Sequence, residues 1–196
     1  MDAAFGGFLE FLKRRGLYEK SIVILTSDHG DSLGEEGRWG HAYTLYPEVV
    51  RIPLVVHLPP DLRATVECDP DVVAFTTDIT PGLYYLLGHR PLRRHPLFGM
   101  PLFTATTQER ARDPHAAYLL ASSYGAVYGI LDNNGRRLYV ADGVNYRSYE
   151  FELGALGDVS RSVSESFRRS QDESIRSAIL AINRFYRFGR QDRVNP

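Results

Sequence analysis

The chain has 196 residues, of which 43% are hydrophobic and 24% charged, a balance typical of a folded globular protein with one core or a large and a small lobe. Its net charge of −1 gives no case for a nucleic-acid-binding surface. No apolar run approaches the roughly 20 residues that a membrane-spanning helix needs. The single cysteine, Cys68, excludes an internal disulfide and leaves the compartment open.

The first predicted elements are a helix and two strands. The helix places apolar residues at helical spacing, between Asp2 as a possible N-cap and Gly16 as a C-terminal stop: Phe5, Phe8, Leu9 and Leu12. The runs SIVILT (21–26) and IPLVVHL (52–58) are short and apolar throughout, which is typical of strands buried on both faces.

A second helix is predicted in TDITPGLYYLLG, where Thr80 can cap, Pro81 suits the first helical position and Gly88 ends the helix. The order helix, strand, loop, strand, helix predicts part of an α/β sandwich with a mostly parallel sheet. Residues 1–112 are assigned to this lobe.

The composition changes in the remaining residues, 113–196, which are predicted to form a small second lobe. Short tyrosine-rich runs between turn residues (116–143) predict an antiparallel meander, which NYRSYEFEL (145–153) can continue. The polar segment 156–170 is expected to be a loop or mobile segment. A terminal helix is predicted from Ser170, with Ser170 and Glu173 as a capping box.

The loop TSDHGDSLGEEGRWGH (26–41), after the first strand, carries the candidate site. Ligands of open parallel sheets bind beyond the carboxyl ends of the strands. There Asp28 and His29 offer a carboxylate and an imidazole, a pair suited to a divalent ion such as Zn²⁺ or Mn²⁺. Gly30 permits a sharp turn. After the glycine-rich excursion His41 can fold back, to bind a second metal or to hold an anionic substrate oxygen. A strand-end aspartate also often caps the next element, so the bare motif leaves both readings open.

Other polar and aromatic residues of the two strands and their loop receive structural interpretations. Asp31 and Glu35 are expected to cap or brace the glycine-rich loop. Trp39 can line a substrate pocket or pack beneath the loop, and packing is favoured. His57 lies in an apolar strand and is interpreted as a core histidine with its hydrogen bond satisfied.

Residues 21–58 resemble the sulfatase family of the alkaline phosphatase superfamily, which shows an apolar strand, SDHG, LGE-x-G, a YE…R-V-P-L segment and another strand. TTDITPGLYYLLG (76–88), FGMPLF (98–103) and the tyrosine-rich meander resemble later parts of that family. The resemblance implies a partial alkaline-phosphatase-like sandwich with a small C-terminal antiparallel sheet and a terminal helix.

The resemblance also implies roles. Asp28 and His29 become ligands of a catalytic divalent metal, Zn, Mn or Ca, and the anionic substrate is a sulfate or phosphate ester. His41 becomes a catalytic residue, at the position where many sulfatases have a lysine that binds the sulfate or the leaving oxygen. Phosphoryl-transferring relatives carry a histidine there. Since no lysine follows Lys20, this favours a phosphate or phosphonate ester.

The family's nucleophile belongs to an upstream C-x-P-S-R-like segment, and the first metal carboxylates precede it. Cys68, in ECDPD, lacks that continuation. The chain is therefore expected to be a C-terminal fragment of a sulfatase-like hydrolase, inactive alone. The alternatives are a non-catalytic association lobe, or part of a phosphoethanolamine- or phosphoglycerol-type transferase. A sheet without its upstream half exposes an edge and an apolar face, which predicts self-association or a partner, the missing N-terminal half.

Overall fold

A computed structural model describes the chain over residues 2–69, 72–89, 99–106, 118–122, 124–132, 135–154, 157–162 and 165–191. The first part holds four helices and four short strands: α1 (Asp2–Arg14), β1 (Val23–Thr26), β2 (Ser32–Leu33), β3 (Trp39–Gly40), α2 (Pro47–Val50), β4 (Leu54–His57), α3 (Pro60–Arg63) and α4 (Ile79–Leu86). The second part holds a sheet and one long helix, α5 (Glu165–Gln191).

Helix α1 ends as the sequence predicts. Gly16 adopts a φ of +63°, which costs glycine little, and the Leu17 N–H turns back to the Leu12 carbonyl at 2.9 Å. The predicted apolar face is only partly covered, because Leu12 is buried while Phe8 stays half-exposed.

Strands β1 and β4 pair antiparallel, with Val23 opposite His57 and Thr26 opposite Leu54. The predicted mostly parallel sheet is therefore wrong for the described strands, all of which pair antiparallel. Parallel neighbours need a crossover, usually a helix that packs across the sheet. The link from β1 to β4 has only a hairpin and the four-residue α2, so it returns the chain in the opposite direction.

His57 confirms its interpretation as a satisfied histidine. Its Nε2 donates to the Tyr18 carbonyl at 3.1 Å, and its ring stacks on that of Tyr18 with centroids 3.9 Å apart.

Helix α4 begins at Ile79, so the predicted cap at Thr80 is wrong. A 3-10 turn (Thr76–Asp78) precedes the helix, and the buried Asp78 carboxylate accepts the backbone N–H groups of Phe75 (2.9 Å) and Met100 (2.8 Å). The Asp78 carboxylate thus binds backbone outside the helix and makes no side-chain cap bond to α4 itself. Gly88 ends the helix as predicted, with φ +70°.

The predicted meander is confirmed. Its five strands lie in chain order, and neighbours pair antiparallel: β5 (Tyr118–Ala121), β6 (Val127–Asp132), β7 (Arg137–Asp142), β8 (Arg147–Gly154) and β9 (Gly157–Ser162). The expected loop over 156–170 is wrong, because β9 pairs with β8 from Gly154↔Gly157 to Tyr149↔Ser162. Polar residues are normal on an edge strand, so the polar composition of this segment did not indicate strand β9.

The capping box is also wrong, because α5 begins at Glu165. Ser170 and Glu173 lie inside the helix, and the Ser174 hydroxyl donates to the Ser170 carbonyl at 3.2 Å. Among the described residues, no helix is both long and apolar enough to cross a membrane.

The C-terminal sheet buries both faces. One face packs against the segment before α2 in a cluster of Leu45, Val127, Leu131, Leu138, Val140 and Phe151. The other face packs against α5, where Ile130 and Tyr139 meet Ile175. The two predicted lobes thus share a core at Leu45. The predicted boundary between 112 and 113 falls outside the described residues, and the division stays a prediction.

Candidate active site

The loop after β1 is held by a close contact at Gly30. Its N–H donates to the Val49 carbonyl at 2.8 Å, and a Cβ added at Gly30 would lie 2.1 Å from the Glu48 carbonyl oxygen. Gly30 does not have a positive φ. A sharp turn was the predicted reason for this glycine, but the structure explains it by the contact with the backbone of α2.

The segment between His29 and His41 is a β-hairpin. Strands β2 and β3 pair with Ser32 opposite Gly40, and their turn uses positive φ values at Gly34, Glu36 and Gly37. Glu35 braces this turn as predicted, because its carboxylate accepts the Leu33 N–H. The register places Asp31 across from His41 at the open end, where the His41 Nδ1 lies 2.8 Å from Asp31 Oδ1.

The hairpin brings the two loop histidines together, with ring centroids 4.0 Å apart and planes tilted by 31°. The His29 Nδ1 donates to the Gly30 carbonyl at 3.0 Å, and the His41 Nδ1 donates to the Asp31 carboxylate. Both acceptors fix a tautomer protonated at Nδ1, so each neutral ring keeps its lone pair at Nε2. A metal-binding histidine commonly has this arrangement, with one ring nitrogen held by an oxygen acceptor.

Asp28 lies beside this pair. Its Oδ2 is 3.6 Å from the His29 Nε2, and its side chain is 89% exposed. The chemistry of these donors fits a divalent ion in part, because one carboxylate and one imidazole nitrogen lie together and face solvent. Within the described ranges, no three side chains of His, Cys, Asp or Glu are placed to hold a metal ion. Asp28 and His29 thus amount to half of a typical ligand set.

Glu48 joins the hairpin to α2. It accepts hydrogen bonds from the Ser32 hydroxyl (2.6 Å) and the Arg38 Nε (2.9 Å), and Arg38 also pairs with Glu36. Burial alone would raise the pKa of Glu48, but the bonds from Ser32 and Arg38 outweigh it and lower that pKa below its ordinary value. The Arg38 guanidinium lies 4.4 Å from the centre of the Tyr46 ring.

Two of these contacts are not predicted by the sequence, and the predicted packing of Trp39 is wrong. The Asp31–His41 pair depends on the register of the hairpin, which the sequence does not show. The spacing of Arg38 and Glu48 in the sequence gives no sign that they pair. Trp39 does not pack beneath the loop, because its side chain stands 77% exposed against Gly34. Glycine offers no side chain to cover an indole ring.

Comparison with known proteins relates the first part of the chain to one family. The family model described as Sulfatase matches residues 1–89, which span β1, the Asp-His-Gly turn, the hairpin and α4. The first 89 residues of the chain are thus assigned to the sulfatase family.

Several curated proteins are similar to this chain. Arylsulfatase K of Bos taurus is 26% identical over 191 residues, covering 91% of this chain. Endo-4-O-sulfatase of Bacteroides thetaiotaomicron is 33% identical over 88 residues, covering 45% of this chain and 17% of that protein. Low-salt glycan biosynthesis sulfotransferase Agl7 of Haloferax volcanii is 44% identical over 50 residues, covering 24% of this chain and 12% of that protein. The chain spans about a third of Arylsulfatase K, 34% of its length.

Replacing Gly30 by alanine is expected to destabilise the fold. The new Cβ overlaps the Glu48 carbonyl oxygen, so the loop must shift, at a cost of about 1–3 kcal/mol in the free energy of unfolding. Urea denaturation measures this cost. Gly7→Ala is the matched control, because its Cβ meets nothing within 4 Å on helix α1. Equal stability of the two variants would contradict the contact at Gly30.

Glu48→Gln is expected to change the pH dependence of stability. The folded-state pKa of Glu48 lies below its ordinary value of 4.5, so its ionised form stabilises the fold above that pH. This stabilisation disappears as the pH falls through the folded-state pKa. The variant should lose about 1–3 kcal/mol at pH 7 and vary less with pH in acid.

Chemical denaturation between pH 3 and pH 7 measures both effects. Glu36→Gln is the control, because Glu36 also pairs with Arg38 but is 62% exposed and should contribute under about 1 kcal/mol. An acid dependence of stability that is the same in Glu48→Gln and the unmodified chain would count against the assigned role of Glu48.

Proposed function

We propose that residues 1–89 form part of the active site of a metal-dependent hydrolase of sulfate esters. The observation that carries the proposal is the juxtaposition of His29 and His41, with the Asp28 carboxylate beside them. The Sulfatase family match supports the class of reaction, and the names Arylsulfatase K and Endo-4-O-sulfatase support sulfate as the transferred group.

Each residue of the site has a proposed role. Asp28, through a carboxylate oxygen, and His29, through Nε2, are two ligands of a divalent ion; the imidazole favours Zn²⁺ or Mn²⁺ over Ca²⁺, which prefers oxygen ligands. Such an ion, when bound, lowers the pKa of a nucleophile and neutralises charge on the transferred group. His41, as an imidazolium that carries a proton on both ring nitrogens, donates from Nε2 to an ester oxygen, and Asp31 holds that ring in its orientation.

Two other functions are candidates for this site. Phosphate or phosphonate esters, as substrates of a hydrolase or of a phosphoethanolamine- or phosphoglycerol-type transferase, are favoured by a histidine at position 41 with no lysine after Lys20. The histidine can donate a proton to a leaving oxygen of either ester, so the sulfatase names of the relatives give sulfate the preference. A non-catalytic lobe is favoured by the high exposure of Asp28 and the absence of a third converging ligand among the described residues.

Metal binding tests the proposed ligands. The purified chain should bind Zn²⁺ or Mn²⁺ weakly, and Asp28→Asn or His29→Gln should weaken binding about tenfold or more, since each removes one of two ligands. Isothermal titration calorimetry with ZnCl₂, MnCl₂ and CaCl₂ measures the affinity. His57→Gln is the control, because its Nε2 is bound to the Tyr18 carbonyl and should not contribute.

Activity and metal binding of the same purified proteins distinguish the proposed hydrolase from the non-catalytic lobe. Two side-chain ligands fall short of the three that catalytic zinc sites keep, so the chain alone should not hydrolyse 4-nitrophenyl sulfate measurably. Hydrolysis that Asp28→Ala abolishes would overturn this expectation. Metal binding unaffected by the substitutions at Asp28 and His29, or no binding at all, would favour the non-catalytic lobe.

We propose in addition that the surface around β1 and β4 binds a second polypeptide. Among the described strands, β1 and β4 pair only with each other, so each leaves an edge open. Large apolar residues are exposed on the two strands and in the segment before them: Leu25, Leu54 and Val55, and Phe8, Phe11 and Leu17. Exposed apolar side chains beside an open strand edge are typical of an interface.

The chain should therefore self-associate, or bind a polypeptide that completes the sheet, and Val55→Lys should weaken self-association about tenfold by placing a charge on this surface. Sedimentation velocity over a range of concentrations measures the association. Leu180→Lys on α5 is the matched control, because Leu180 is similarly exposed but lies beside the C-terminal sheet. A monomer at every concentration would argue against self-association.

A further inference from the structure

A cavity of about 350 Å³ lies between helix α5 and the C-terminal sheet. The sheet contributes Tyr128 of β6 and Ala141 of β7, and α5 contributes residues that include Ile175, Arg176 and Ile179. The segment before α2 packs against the other face of the same sheet. The sheet therefore lies between the cavity and that segment.

The register of β6 and β7 explains why the cavity exists. Ile130 pairs with Tyr139, and two residues along Tyr128 pairs with Ala141 on the same face of the sheet. Helix α5 closes over the first pair through Ile175, so Ile130 is only 1% exposed and Tyr139 only 2%. The second pair stays half-buried, because the single methyl group of Ala141 is too short to fill the space beneath the helix.

The rim of the cavity carries an uncompensated positive charge. Asp172 accepts a hydrogen bond from the Tyr139 hydroxyl at 3.3 Å and lies 3.9 Å from the Arg168 Nε, so its negative charge is compensated. The Arg176 guanidinium, which is exposed, makes no hydrogen bond or ion pair with any residue that the structure describes. A guanidinium presents planar N–H donors that match the two oxygens of a carboxylate. The cavity thus combines an apolar interior with a cation at its edge.

We propose that this cavity binds an aliphatic carboxylate, with the carboxylate group on Arg176 and the chain along Tyr128, Ala141 and Ile179. Small-molecule sites have volumes of roughly 300–1,000 Å³, mostly apolar walls and a few polar groups, and this cavity has all three properties. At about 30 Å³ per atom, which is the share of a water molecule in the liquid, the cavity holds roughly twelve non-hydrogen atoms. Octanoate is slightly smaller and fits this space.

The size of the cavity argues for a small molecule over a polypeptide. A helix with its side chains is about 10 Å across, so a partner protein could insert no more than one side chain. The charge of Arg176 argues for an anion over a neutral lipid. This ligand does not take part in the proposed ester hydrolysis, and the proposal stands without that function.

Isothermal titration calorimetry of the full chain with octanoate tests the proposal. Octanoate should bind saturably at millimolar concentration, and 1-octanol, which has the same chain without the charge, should bind about fivefold more weakly or less. Arg176→Gln should lower the octanoate affinity about fivefold and leave the 1-octanol affinity unchanged, whereas Arg176→Lys should keep most of the octanoate affinity. Arg184→Gln is the matched control, because Arg184 is exposed on the same helix but does not line the cavity.

Filling the cavity tests where the ligand binds. Ala141→Leu places a larger side chain in the space beneath α5 and should lower the affinity for both octanoate and 1-octanol about tenfold. Thermal unfolding of each variant shows whether it is folded. Ala141→Val makes a smaller change of the same kind, and it replaces Ala141→Leu if leucine prevents folding.

Several outcomes would overturn the proposal. These are no binding of octanoate to the unmodified chain, equal octanoate affinities in Arg176→Gln and Arg184→Gln, or an affinity that filling the cavity at Ala141 leaves unchanged. Self-association that Ala141→Leu abolishes, in a chain that does not bind octanoate, would assign the cavity to a side chain of a second polypeptide and overturn the proposal equally.

Discussion

The contact between Gly30 and the backbone of α2 is the constraint on which the candidate site depends. The Gly30 N–H reaches the Val49 carbonyl at 2.8 Å, and the space where a Cβ would stand is filled by the Glu48 carbonyl. Helix α2 begins two residues after Leu45, which is buried in the core of the C-terminal sheet. The Asp-His-Gly turn is therefore positioned by a sheet that lies far along the chain, through one backbone hydrogen bond and one steric contact.

Charge pairing extends this anchorage to the hairpin. A carboxylate as buried as that of Glu48, with 16% of its side chain exposed, is stable only with partners. Ser32 on β2 and Arg38, the residue before β3, supply them. Arg38 in turn lies over Tyr46, whose ring stacks on Tyr149 of β8 with centroids 5.7 Å apart. Burial and the neighbouring Tyr46 raise the pKa of Tyr149 far above its usual value, so this ring stays neutral and the stack is insensitive to physiological pH.

The sequence predicted elements whose signals are local, and it failed where distant partners decide. The apolar runs of β1 and β4, the glycine stops at Gly16 and Gly88 and the tyrosine-rich meander were recognisable because periodicity and turn residues act within a few positions. The direction of β4 relative to β1 depends on how the intervening hairpin packs. A short window of sequence does not contain that information. Within the site, the sequence predicted that His41 folds back towards His29, because the segment between them is rich in glycine. Asp31 at His41, Arg38 at Glu48 and the exposed Trp39 depend on hairpin register and tertiary neighbours.

The connectivity of the C-terminal sheet has a consequence for how the chain folds. The strands β5 to β9 lie in the sheet in chain order, so the sheet is assembled from contacts between near neighbours in the sequence. Such contacts form rapidly because little chain entropy is lost in closing each loop. Strands β1 and β4, by contrast, must meet across a long intervening segment. We therefore expect the meander to form early and the Asp-His-Gly turn to acquire its geometry late, by docking Leu45 onto a surface that already exists.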